Sequence, residues 1–136
     1  MKQILSTYKI LPVLIAPLLF SPIPPTWGNC DTKVTLHDRD KITIDMASIS
    51  DDGLIGEGSG VKSIDYEFCI SATPSALAEV QRIDPTVQCS RSRGRIGCQA
   101  NQYLCIGSTY QKNWRNVLYQ LASLDYVKQI APSWAD

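Results

Sequence analysis

The sequence predicts an α+β domain, and three observations carry the prediction. SIDYEFCI, residues 63–70, alternates apolar and polar side chains as a half-buried strand does. Two stretches, TPSALAEVQRID and STYQKNWRNVLYQLASL, repeat their apolar residues at helical spacing. Short β-like runs stand between and after them. The resulting order, β-α-β-β-α-β, is the ferredoxin-like arrangement of two helices on one face of a four-stranded antiparallel sheet. An N-terminal β-hairpin is expected ahead of it.

That hairpin is read from KVTLHDRDKITID. Val34 and Leu36 alternate, HDRD makes a polar turn, and Ile42 and Ile44 alternate again. SISDDGLIGEGSG follows, glycine-rich and without periodicity, as a flexible connection. In the first core strand Ile64, Tyr66, Phe68 and Ile70 share one face, and Asp65, Glu67 and Cys69 the other. Thr73 then caps a helix with Pro74 at its first position; Leu77, Val80 and Ile83 form its stripe, and Asp84-Pro85 ends it. TVQCSRS and QYLCIGST are the second and third strands. Ser108 and Gln111 match the S-x-x-Q capping box before the stripe of Trp114, Val117, Leu118 and Leu121. YVKQI closes the domain as the fourth strand.

The first 28 residues read as an export signal. Lys2 and Lys9 give a positive start, residues 10–20 an apolar core, and Gly28 a small residue at the cleavage point. The apolar run is about half of the ~20 residues that cross a bilayer, so no stable membrane span is expected after cleavage. The predicted organisation is therefore a signal peptide at 1–28, hairpin and linker at 29–60, and the ferredoxin-like domain at 61–136. The 108 residues after cleavage suffice for one core. They carry eleven Lys and Arg against thirteen Asp and Glu, which argues against a nucleic-acid partner. Residues 31–67 hold nine acids and four bases, whereas residues 82–128 hold seven bases and two acids. Such a split serves either an internal match or an anionic partner.

Five cysteines in an exported chain point first to disulfides, with one thiol left over. The first and third strands of this topology are antiparallel neighbours, so Cys69 approaches Cys105. Alternation puts Cys105 opposite Leu104 and Ile106, on the sheet face away from the helices, with Tyr103 beside it. Cys89 and Cys98 flank the tip SRSRGRIG. The expected bonds are Cys69–Cys105 and Cys89–Cys98, with Cys89–Cys105 competing and Cys30 either unpaired or linking two chains. C-x8-C-x6-C lacks the C-x2-C pairs of a zinc site, and no metal or other cofactor is expected.

Catalytic chemistry finds little support. His37 is the single imidazole and sits in the predicted turn. Asp38, Asp40, Asp51 and Asp52 lack the ligand spacing of an EF-hand, and GEGSG lacks the strand and helix of a phosphate loop. The reading is non-enzymatic. Arg91, Arg93 and Arg95, at period two on a hairpin arm, offer forks for carboxylate or phosphate, although charges on an exposed hairpin also keep it soluble. Tyr103, Asp65 and Glu67 are the candidate ligand residues of the open face.

SIDYEFCISATPSALAEVQRI and QYLCIGSTYQKNWRNVLYQLASL resemble the SPOR domain, a periplasmic peptidoglycan-binding module in which each half enters a helix from an alternating strand. Ile106-Gly107-Ser108 matches the strand-to-helix step; Cys69-Ile70-Ser71 lacks its glycine, and the cysteines and the N-terminal hairpin depart from the pattern. The resemblance implies glycan binding on the exposed sheet face, through Asp65, Glu67 and Tyr103. LYQLASLDYVKQI is also similar to the closing helix and strand of propeptide-type subtilisin inhibitors, which implies that the tail APSWAD, with Trp134, enters a protease. The expectation is an exported, periplasmic or secreted, non-catalytic module whose partner is cell-wall glycan or an envelope protein. The alternatives are a protease inhibitor or folding aid acting through the tail, and a structural protein that dimerises through Cys30.

Overall fold

The structure, a computed structural model, describes residues 34–134, which fall within one compact unit. The predicted signal at 1–28 and Cys30 lie outside the described residues. The fold is α+β, with a four-stranded and a two-stranded antiparallel sheet.

The predicted N-terminal hairpin is replaced by a helix, α1 (Leu36–Asp40). Its cause is local. The Thr35 hydroxyl accepts the Asp38 N–H at 3.2 Å, and the Asp38 carboxylate accepts the Thr35 N–H at 2.9 Å. This reciprocal box satisfies donors that a strand would have to place elsewhere, and it leaves Leu36 exposed. The chain then lies along the edge of the main sheet. The Thr43 N–H donates to the Ile130 carbonyl at 2.9 Å, and the Ile130 N–H to the Lys41 carbonyl at 2.8 Å.

The expected glycine-rich connection is partly ordered as a small ribbon of β1 (Leu54–Ile55) and β2 (Lys62–Ser63). Gly53, at φ +79°, is the point of closest approach. A Cβ there would strike the Thr109 backbone, and the Thr109 hydroxyl donates to the Gly53 carbonyl at 2.6 Å.

The main sheet contains β3 (Asp65–Ser71), β4 (Gln88–Ser90), β5 (Gln102–Ser108) and β6 (Ile130–Ser133), in the order β4-β5-β3-β6. Helix α2 (Pro74–Ile83) joins β3 to β4, and α3 (Trp114–Ala122) joins β5 to β6. The Thr73 hydroxyl caps α2 by accepting the Ala76 N–H, as expected. Tyr66, Phe68, Ile70, Val80, Trp114, Leu118, Leu121 and Ile130 are fully buried in one cluster between helices and sheet. Each such side chain contributes about 1.5–3 kcal/mol.

Two predicted ends move. Helix α3 begins at Trp114 behind Asn113, which takes a left-handed φ of 56°, and not from a Ser108–Gln111 box. Gln111 is drawn inward, where its amide donates to Asp84 at 3.0 Å and to the Ser108 carbonyl at 2.8 Å. The last strand is residues 130–133, not 126–130, so Ala131, Pro132 and Ser133 of the predicted free tail are paired with β3. Pro132 is tolerated there because β6 is an edge strand.

Candidate functional site

Residues opposite one another in an antiparallel pair share a face, so the register sorts the side chains of the sheet. Phe68 faces Cys105 and Ile70 faces Tyr103, while Cys89 also faces Cys105. Tyr103, Cys105 and Gly107 therefore point toward the helices. Leu104 and Ile106 point away, beside Cys69 and Glu67 respectively. The sequence suggests the opposite parity for β5, because Leu104 and Ile106 look like its buried residues.

That parity decides the disulfides. Cys69 and Cys105 lie on opposite faces, so the expected Cys69–Cys105 bond does not form. Cys89 and Cys105 are direct cross-strand partners with Cα atoms 4.1 Å apart, and they are bonded on the helix side. Cys98 is then free to bond Cys69 on the outer face, at a Cα separation of 5.5 Å, in place of the expected Cys89–Cys98. Both bonds fit an oxidising, exported compartment.

The Cys69–Cys98 bond folds the β4–β5 loop back onto the sheet. The Ile96 N–H donates to the Glu67 carboxylate at 2.7 Å, and the Gly97 and Cys98 N–H groups donate to the Arg93 carbonyl. Gly94, at φ +61°, passes so close to Leu104 that a Cβ would come within 2.7 Å of its side chain. Leu104 and Glu67 are both about 4% exposed as a result. Two candidate ligand residues are corrected by this arrangement. Glu67 is spent inside the protein, under the loop. Tyr103 is half-buried against the core, with the Arg91 guanidinium 4.9 Å above its ring. Arg91, Arg93 and Arg95 are exposed, although on a folded-back loop and not on a projecting arm. Asp65 is exposed at the start of β3.

The rest of the outer face is open. A groove of about 440 Å³ runs over it, lined by Asp65, Thr86, Gln88, Ser90, Ile106 and Ser108. Asp65 also lines a second cleft of about 200 Å³ with Lys62, Ser133 and Trp134. Trp134 is half-exposed, with the Lys62 ammonium 5.9 Å from its ring centroid. The two hollows thus meet at one carboxylate. Hydroxyl and amide groups, an isoleucine floor and an exposed indole together offer hydrogen bonds and an apolar face to a polar ligand.

The groove's rim is set from within by Asp84, which is fully buried. Its carboxylate accepts from the Tyr66 hydroxyl at 2.5 Å, from the N–H and hydroxyl of Thr86, and from Gln111. The Thr86 hydroxyl in turn accepts the Ser108 N–H at 3.0 Å. Burial, then the negative charge and hydrogen bond of Asp84, hold the Tyr66 hydroxyl protonated far above the usual tyrosine range. A Cβ at Gly107 would strike both Asp84 and the Tyr66 ring, so glycine is required where these groups meet β5. Asp-Pro-Thr is a readable sign of the turn in which Asp84 accepts the Thr86 N–H, but nothing local announces Tyr66 and Gln111 as partners.

Gln88, Ser90, Ile106 and Ser108 were not among the candidates, because their common face follows from register. His37 lies exposed on α1, in a hollow lined by Asp38, Asp40, Lys41, Asp125 and Lys128. Among the described residues, no helix is long and apolar enough to cross a membrane. Comparison of the chain with family models, with curated proteins and with solved structures finds no match.

Proposed function

We propose that this chain is an exported, non-catalytic module of the cell envelope, built on a ferredoxin-like frame, that binds glycan on the open half of its outer sheet face. The strand order β4-β5-β3-β6, with a helix in each crossover, supports the frame. The observation that carries the function is the junction at Asp65. A groove of hydroxyl and amide groups meets a cleft walled by a half-exposed tryptophan there. Carboxylates accept from sugar hydroxyls, and an indole packs against the apolar face of a sugar ring. Two intrachain disulfides support the exported setting.

The test is co-sedimentation of the oxidised protein with purified peptidoglycan sacculi. Wild type is expected in the pellet, with Trp134→Ala and Asp65→Ala shifted to the supernatant while keeping wild-type thermal unfolding. Wild type that stays in the supernatant, or variants that pellet equally well, would overturn the reading.

A further inference from the structure

We propose that the Cys69–Cys98 disulfide is a reducible latch: a dithiol protein opens it, the β4–β5 loop lifts away, and the outer sheet face is uncovered for a longer ligand. The effect on glycan rests on the glycan reading above; the latch itself does not. The register shows what the loop hides. Glu67 stands opposite Ile106, and Leu104 stands opposite Cys69 and Ser90, so the two covered side chains adjoin the groove's own Ile106 and Ser90. With the loop in place both are buried; with it lifted, the groove continues across β3 and β5.

The loop depends on this bond. Of residues 91–98, Cys98 is buried, Ile96 is half-buried and the other six are exposed. Little apolar area therefore holds the segment to the sheet. The Ile96 N–H on Glu67 is a second tie, and Arg91 on the Ala100 carbonyl links the loop's start to its own far end. The bond is also open to attack from one side. Cys69 is half-buried and lines a hollow of about 220 Å³ with Gln99, Gln102, Tyr126 and Lys128, whereas Cys98 is buried. The Lys128 ammonium at that hollow favours an approaching thiolate.

In an oxidising compartment the reductant is a dithiol protein delivered to the site. Its thiolate bonds to Cys69 Sγ while the Cys69–Cys98 bond breaks, and Cys98 leaves as a thiolate that takes a proton from water. The donor's second thiol loses its proton, bonds to the first donor sulfur and releases Cys69 as a thiolate, which is protonated in turn. Two electrons thus pass to the protein, and the donor ends as a disulfide. Cys89 is also half-buried, beside the groove. Cys89 and Cys105 are ladder partners, however, and stay opposed when reduced, so their bond re-forms, whereas Cys98 leaves with its loop.

The oxidised protein is to be titrated with dithiothreitol, trapped with N-ethylmaleimide and mapped by peptide mass spectrometry. Cys69 and Cys98 should be labelled at roughly tenfold lower reductant than Cys89 and Cys105, as expected for thiols that separate against thiols held together. At that reductant, amide exchange should speed at residues 94–98 and not in α3, and Cys69→Ala/Cys98→Ala should show the same without reductant. Both opened forms should be retained on sacculi roughly fivefold better than the oxidised protein, the gain of one charged hydrogen bond with an apolar contact. Labelling of all four bonded cysteines together, or unchanged exchange at 94–98, would overturn the latch. An opened loop with unchanged retention would overturn its control of the glycan site. Selective labelling and faster exchange in a protein that never pellets would overturn the glycan reading and leave the latch standing.

Discussion

Each face of the sheet carries one disulfide and one buried acid, and the two sets are anchored differently. On the helix side, Cys89–Cys105 joins residues already paired in a strand ladder, and Asp84 accepts from Tyr66, Thr86 and Gln111, which come from separate parts of the chain. On the outer side, Cys69–Cys98 and Glu67 hold an irregular loop, through one covalent bond and the Ile96 N–H. The inner set is woven into the core, so its loss is felt by the whole fold. The outer set positions one segment, so its loss is felt where the loop meets the proposed ligand site. Similar chemistry thus serves global stability on one face and local placement on the other.

Removing the disulfides breaks the comparison most directly. The chain-entropy model assigns each about 3–4 kcal/mol, and each bond holds one fully buried cysteine, Cys105 and Cys98, whose truncation also leaves a void. Cys89→Ala/Cys105→Ala should therefore cost about 4 kcal/mol in denaturant unfolding. Cys69→Ala/Cys98→Ala should also cost about 4 kcal/mol and, unlike the first pair, speed hydrogen exchange at residues 94–98 well before α3 exchanges. One common exchange pattern in both variants would show that the two faces form a single cooperative unit.

The acids sharpen the same contrast. Asp84→Ala strands several buried donors and should cost about 3 kcal/mol, lowering the thermal midpoint of the whole domain. Glu67→Gln keeps an acceptor but weakens a charge-assisted bond, so about 1 kcal/mol is expected, with faster exchange at the Ile96 amide. A global loss from Glu67→Gln as large as that from Asp84→Ala would end the distinction.

The last effect is alkaline and vanishes below pH 10. The Tyr66 hydroxyl ionises at a higher pH in the folded chain than the ordinary value of 10.0. A raised folded pKa means that its contribution is complete below pH 10 and is lost as pH rises beyond it, because the unfolded chain ionises first. Stability should fall above pH 10 by up to about 1.4 kcal/mol per pH unit for this group, and Tyr66→Phe should flatten the slope. Tyr126, also raised by burial and by its bond to Glu79, should leave a residual slope in that variant. An unchanged slope would place the hydroxyl outside the buried network.

What the sequence by itself determined is what neighbouring residues decide. Thr73 and Pro74 start α2, the alternation of 64–70 makes β3, and the stripe of Trp114, Val117, Leu118 and Leu121 marks the buried side of α3, because caps and periodicity act within one turn or one strand. The Thr35–Asp38 box is equally local, and it outweighs the alternation of Val34 and Leu36 to make α1. Asp65 and the three arginines were legible as exposed polar groups. Tertiary structure alone decided the face of each β5 residue, since a one-residue change in parity exchanges Cys105 and Leu104 across the sheet. From that parity followed the disulfide partners, the burial of Glu67 and Leu104 under the loop, and the inward position of Tyr103. The meeting of Gln88, Ile106, Asp65 and Trp134 had the same origin, because residues far apart in the chain become neighbours only through register.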